Sequence, residues 1–279
     1  MSTSQSPLPD FERPPVVEVA LGVQFDPIPS LDSAQIVELW ADRLRARFPH
    51  VQELQPITPA VEWFGVPSPI QFAIQFSGRG LQTRWIFSST PQNQLVQIQQ
   101  DRFVRNWRQI GDADAYPRYP QIRQAFREDF EEFSTFLSQK GLGTPVPNQC
   151  EVTYVNQVDL ASGPTPEAPR GYLSPWTGRH SDDFLREPES VEIAAHYAIE
   201  RDGQTVGRLH ITSGPAQAVK TGATVSLLTL TARGRPVTKT LEGALEFFDL
   251  GRENVVRGFA SITTSDAQKK WGRRDGNNS

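Results

Sequence analysis

The 279 residues hold one cysteine, Cys150. No intramolecular disulfide can therefore close, and no cysteine cluster can bind zinc. That usage fits a reducing compartment. No apolar run reaches the roughly 18 residues that a membrane-crossing helix needs. Residues 1–15, polar and rich in proline, lack the basic-then-apolar layout of a signal peptide. The expectation is a cytoplasmic protein without membrane contact. Also missing are a phosphate-binding glycine loop ending in Gly-Lys-Ser/Thr, a dinucleotide glycine triplet, a His-Glu-x-x-His pair and a nucleophile elbow. Accordingly no cofactor, no metal and no catalytic residue is expected. A net charge of −4 excludes a surface that grips nucleic acid all round, while leaving room for a local basic patch.

What is present is regular alternation. With 37% hydrophobic residues the chain can bury one large core or two modest ones. Val17, Val19, Leu21, Val23 and Phe25 alternate with polar or small residues, which predicts a half-buried strand over 16–25. Asp32, three residues before Gln35, caps a helix carrying Ile36, Trp40, Leu44 and Phe48 on one stripe. Residues 51–69 read as loop with one short strand. Further strands are expected at 70–76, 81–87 and 95–103, then a helix from Pro120 to Lys140 closed by Gly141 and Gly143. After Pro145-Val146-Pro147-Asn148, strands are expected at 150–160, 190–200, 204–212 and 223–233, with short helical turns near 182–186. A helix begins near Thr240, is interrupted at Gly251 and continues beyond it. Residues 18–24 can be laid over 151–157, and the order strand, insertion, antiparallel strands, helix occurs twice.

The predicted architecture is α+β: two similar halves, each an antiparallel sheet packed by a long helix, a TBP-like or helix-grip-like duplication. The halves are placed at 16–144 and 148–272, between disordered tails at 1–15 and 273–279. One continuous sheet shared by both halves is the alternative.

Arginine and aromatic residues concentrate in residues 95–130. The candidate binding patch is Arg102, Arg105, Trp107, Arg108, Arg118 and Tyr119, interleaved with Arg123, Arg127 and Tyr116. Guanidinium forks beside aromatic planes can hold phosphates or stack bases. They can equally lock a strand-to-helix joint through cation–π contacts and pairing with Asp101, Asp112 and Asp114.

The secondary candidates are Asn156, His196, Arg208 and His210. Asn156 lies on an otherwise apolar strand face, where a buried amide must tie down a loop or line a cavity. A three-residue loop pairing Glu200 with Gln204 would set His196 opposite Arg208 and diagonal to His210, about 7–8 Å away. That face is either an acid–base or anion-binding surface or an ordinary solvated one. Gln24, Gln71, Gln75, Gln82, Gln97 and Gln99 give the first sheet a neutral polar face, suited to reading a polar ligand or to being covered.

Several segments together carry a family resemblance: Arg13-Pro14-Pro15-Val16-Val17-Glu18-Val19, Gln97 to Phe103, Asn106-Trp107-Arg108, Tyr116-Pro117-Arg118-Tyr119 and Thr153-Tyr154-Val155-Asn156. Gly251-Arg252-Glu253 through Phe259, Ile262-Thr263-Thr264 and Trp271 complete it. The chain resembles, over nearly its whole length, a sporadically distributed family of functionally uncharacterised prokaryotic proteins known only by a numbered designation. In that family His often stands where this chain has Arg252. The resemblance implies no activity or cofactor. The patchy distribution resembles that of toxin–antitoxin pairs and defence loci, by association alone. The functional expectation is a non-catalytic binding or regulatory protein, antitoxin-like or a defence-module component, acting on a protein partner. Nucleic-acid binding through residues 102–127 and a small-ligand or enzymatic helix-grip cavity are the alternatives, and a homo-oligomer is compatible with either.

Overall fold

Alternating side chains sort themselves onto two faces of one sheet, and the helices cover only one of them. The computed structural model describes residues 7–62, 64, 83–111, 114–160, 168–175, 184, 190–218 and 221–274. In chain order the elements are β1 (Asp10–Phe11), β2 (Val16–Phe25), α1 (Ser33–Leu39), β3 (His50–Leu54), β4 (Arg84–Ser88), β5 (Gln94–Gln99), β6 (Arg102–Arg108) and α2 (Tyr119–Gln139). There follow β7 (Pro147–Asp159), β8 (Ile193–Arg201), β9 (Gln204–Gln217), β10 (Thr224–Gly234), α3 (Leu241–Ile262), α4 (Ser265–Lys270) and β11 (Arg273–Arg274). The strand expected at 70–76, the turns near 182–186, and Gln71, Gln75, Gln82 and His180 lie outside the described residues.

Nine strands pair in the order β3-β4-β5-β6-β2-β7-β10-β9-β8, every neighbour antiparallel. The fold is α+β and the sheet antiparallel. β2 and β7 meet at the centre, with Val19 opposite Tyr154 and Leu21 opposite Val152. The sheet therefore runs unbroken across the proline-rich segment that divides the sequence.

α2 and α3 lie on the same face. Phe103 of β6 meets Phe126, Phe130 and Phe133 of α2 at centroid distances of 5.7, 5.4 and 5.3 Å, and Phe126 meets Phe248 of α3 at 4.8 Å. Such aromatic pairs add about 0.5–1.5 kcal/mol each beyond area burial. Asp32 caps α1 by accepting from Gln35 N at 3.0 Å, and the chain winds on as a π-helix through Leu44. Thr240 caps α3 through Gly243 N, and Gly141 closes α2 with φ of 64°.

Gly251 does not interrupt the last helix. α3 runs through it as one 22-residue element. A Cβ at Gly251 would sit 3.0 Å from Val152 Cγ2 and 3.2 Å from Ala232 Cβ. The missing side chain lets the helix approach the sheet, and packing outweighs low helix propensity. The expected tails are corrected in part as well. Residues 10–11 pair with 273–274 in a two-stranded ribbon, and Phe11 packs edge-on against Phe259 at 5.4 Å.

One ion pair ties the first sheet to its helix. Arg105 points from β6 toward α2, where its Nε donates to Asp129 Oδ2 at 2.7 Å and its Nη1 donates to the carbonyls of Leu95 and Asn106 at 3.2 and 2.9 Å. Asp129 also receives Arg47, and the Arg105 guanidinium lies 5.2 Å from the Phe48 ring centroid. Burial pushes the Arg105 guanidinium below its ordinary value, and Asp129 opposes that shift. Asp129→Ala would leave this buried cation unpaired and should cost about 3–5 kcal/mol in a denaturant titration; a loss below about 1 kcal/mol would show that the pair does not hold the joint.

Candidate functional site

Period-two alternation along β6 disperses the arginine-rich stretch. Arg105 and Trp107 face the helices and are buried, while Arg102 is buried on the opposite face. Arg108 Nε donates to Gln92 O at 2.9 Å at a strand turn. Arg118 and Tyr119 open α2 beside the ribbon. The six residues of the candidate patch thus form no single surface, because a strand cannot put residues 102, 105, 107 and 108 on one side.

Two of them instead border a half-open cavity of about 120 Å³ lined by β2, β7, the start of α2, α3 and the segment from Pro9 to Pro14. Phe11, Val16, Val255, Val256 and Phe259 give it apolar walls; Tyr116, Tyr119, Tyr154, Asn156 and Arg252 supply the polar atoms. The Tyr116 and Tyr154 hydroxyls stand 3.1 Å apart. Burial pushes both phenols up, so both are protonated at neutral pH. One hydroxyl donates to the other, which leaves a second proton to offer elsewhere. Asn156 Nδ2 donates to Leu228 O at 3.0 Å. Its Oδ1 has no donor among the described residues.

Tyr119 donates to Asp249 Oδ1 at 2.7 Å, and the Arg252 guanidinium lies 4.9 Å from the centroid of its ring. No carboxylate or carbonyl among the described residues pairs with Arg252. The backbone is strained next door. Arg118 sits at φ 67°, ψ 153°, a region that glycine occupies almost alone. That conformation aims both of its terminal nitrogens at Phe11 O, 3.2 Å away, and one at Asp10, pinning the ribbon against the cavity.

The opposite face carries the histidines. The β8–β9 turn has two residues, Asp202 and Gly203, both with positive φ (52° and 75°). Alone it would set apolar against polar side chains. A bulge one step on, between Ile199 and Glu200, leaves Val206 unpaired and restores the match. The expected three-residue loop is therefore wrong. His196 stands directly opposite His210, with ring centroids 4.7 Å apart, and Ala198 faces Arg208.

Residues 55–62 cross this face as an arch. Gln24 donates to Ala60 O at 2.7 Å and accepts from Ala60 N at 3.0 Å; Gln99 does the same with Ile57 at 3.0 and 3.1 Å. The side-chain amides pair with the arch as peptide groups would, so the glutamine-rich face is covered by the chain's own loop. At the end of the arch, buried Glu62 contacts Arg208 Nη1 and His210 Nε2 at 2.5 Å each and Arg233 Nη1 at 3.4 Å. Arg208 and His210 are brought together, and Asn156 lies on the other side of the sheet. Among the described residues no group of three His, Cys, Asp or Glu is placed to hold a metal, and no helix is long and apolar enough to cross a membrane.

Sequence reading named Arg252 only as a position of the family resemblance, and missed the Tyr116–Tyr154 pair and Glu62. Arg252 left a signal, being a charge inside the stripe Phe248, Val255, Val256, Phe259. Glu62 left none, since its partners are 146 to 171 residues away.

Burial pushes the Glu62 carboxyl up, but the His210 hydrogen bond and the charges of Arg233 and Arg208 outweigh it and hold the carboxyl below its ordinary value of 4.5. A depressed carboxyl stabilises fully above that value and loses the effect as pH falls through its folded-state value. Glu62→Gln should cost about 1–3 kcal/mol at neutral pH and weaken the acid-induced loss below about pH 4.5; an unchanged acid limb in pH-dependent melting would refute the assignment.

No family model and no curated protein matches the chain. Among solved structures, the di-domain ARO/CYC StfQ from the steffimycin biosynthetic pathway aligns over 91% of this chain and 99% of that one, at 9% identity and a TM-score of 0.21, a likeness too low to carry an argument.

Proposed function

We propose that the protein is a non-catalytic binding protein whose cavity between the sheet and the two long helices takes a small amphipathic anion. The observation that carries the reading is Arg252, a cation set in the apolar stripe of α3, lining the cavity and meeting, among the described residues, only the face of Tyr119. A charge so placed is costly without a partner. The spare phenolic proton and the free Asn156 Oδ1 stand on the same lining, the mixture of apolar wall and few convergent polar groups that ligand sites present. A cavity of about 150 Å³ takes benzene, so the 120 Å³ space buries about five heavy atoms and, being half open, leaves the rest of a longer ligand at its mouth. That suits a medium-chain or aromatic carboxylate, its carboxylate on Arg252 and its tail toward Phe11 and Phe259.

The same proposal treats the halves as copies of one unit. β2-β6-β5-β4 runs outward from the centre as β7-β10-β9-β8 does on the other side, and each run is followed by a long helix on the same face. Regulation through a protein partner, drawn from the resemblance, would then be what ligand occupancy controls.

Octanoate, with ten heavy atoms, is the probe. It should raise the melting temperature saturably, and Arg252→Leu should weaken its binding at least about tenfold, about 1.4 kcal/mol, without lowering the ligand-free stability by more than about 1 kcal/mol. Octanol should bind more weakly than octanoate. Equal binding of alcohol and acid, or an unchanged Arg252→Leu affinity, would overturn the reading.

A further inference from the structure

Asn156 is a buried amide with one end unused. It is 4% exposed and lines the cavity from β7. Its Nδ2 donates to Leu228 O at 3.0 Å, and because a carbonyl only accepts, that bond fixes the orientation of the amide. Oδ1 is then an acceptor with no donor among the described residues, yet it is not sealed in, so it opens on the cavity. Three prolines of the same lining, Pro9, Pro14 and Pro120, carry no N–H that could reach it. Tyr154 precedes Asn156 by two residues on β7, so period-two alternation puts both on one face. Its hydroxyl and that of Tyr116 stand 3.1 Å apart and share one hydrogen bond, which leaves one phenolic proton to donate.

The cation stands close to both groups. Burial raises the two phenols, and the Arg252 charge opposes that shift at each, which places the guanidinium within electrostatic reach of the pair. It lies 4.9 Å from the Tyr119 ring centroid, and no carboxylate or carbonyl among the described residues takes its N–H groups. Cation, donor and acceptor thus border one small space, beside the apolar rings of Phe11 and Phe259. An alkyl group filling that space displaces water from Asn156 Oδ1 and from the phenol and returns no hydrogen bond, which costs affinity.

Given the anion site proposed above, on which this rests, we propose that its ligand is a 2-hydroxycarboxylate. The carboxylate engages Arg252. The hydroxyl on the adjacent carbon donates to Asn156 Oδ1 and accepts the spare phenolic proton in a hydrogen bond, and the tail leaves along Phe11 and Phe259. Three carboxylate atoms, the carbon beside them and its hydroxyl oxygen make about the five heavy atoms that the space buries. A keto group at the same carbon can accept from the phenol but has no proton to give Asn156. Because carboxylate, hydroxyl and tail are each held by a different wall, one enantiomer fits and its mirror image does not.

The test is titration calorimetry and thermal melting of the full chain with octanoate, the two enantiomers of 2-hydroxyoctanoate, 2-oxooctanoate and 3-hydroxyoctanoate. One 2-hydroxy enantiomer should bind at least about fivefold tighter than octanoate, as two neutral hydrogen bonds allow. Its mirror image and the 2-oxo acid should stay within about twofold of octanoate. Asn156→Leu should remove the preference for the hydroxy acid while holding octanoate within about twofold of its native affinity. Should that variant not fold, the ligand series on the native chain decides by itself. Octanoate binding that depends on Arg252 but gains nothing from the hydroxyl would overturn the 2-hydroxycarboxylate and leave the anion site standing. Equal gains from both enantiomers, or 3-hydroxyoctanoate matching the better 2-hydroxy enantiomer, would also overturn it. Binding of none of these acids would overturn both.

Discussion

The backbone pairing of β2 with β7 is the constraint on which the rest depends. It joins two meanders edge to edge, so one sheet carries both long helices on one face and leaves the other face to polar side chains. It sets Val16 opposite Asn156, and a register shift between Val16 and Glu18 follows at once. The cavity lies at that irregular end, where the two central strands and the two helices converge. Without the pairing, Tyr116 and Tyr154, 38 residues apart, would have no reason to meet.

The two faces solve the burial of polar groups differently. On the helix face one charge pair, Arg105 with Asp129, sits among phenylalanines and is fully engaged by the Leu95 and Asn106 carbonyls. Breaking such a pair costs far more than its net worth, because the survivor keeps its desolvation penalty. On the other face the arch has few backbone partners of its own. The glutamine amides of Gln24 and Gln99 substitute for them, each giving one donor and one acceptor to a single residue of the arch. Half-buried backbone groups of the arch are thereby satisfied without a tenth strand.

Strain and uncompensated charge coincide at the places read as sites. Arg118 holds a backbone conformation that costs on the order of 1–3 kcal/mol and in return pins the ribbon to the cavity. Arg252 lines the cavity on one face and Arg102 is buried on the other, each without a carboxylate in contact among the described residues. Among the described residues these departures from local rules are not repaired, and such places are where ligands complete a chain.

The sequence by itself determined the elements whose pattern is local. Alternation placed β2 at its observed limits, Asp32 and Thr240 marked helix starts, and Gly141 marked the end of α2. The apolar face of each strand could be read because its period is two and needs only neighbours a few residues away. Tertiary structure alone decided what depends on distant partners. The bulge at Val206 turned a two-residue hairpin into the register that sets His196 against His210. Contact with Val152 and Ala232 carried α3 through Gly251. Strand alternation split the arginine-rich stretch between two faces, and chain crossings put Glu62 beside Arg208 and Arg252 beside Tyr119. The physical reason is the same in each case: periodicity fixes which way a side chain points, but only register and packing fix what it points at.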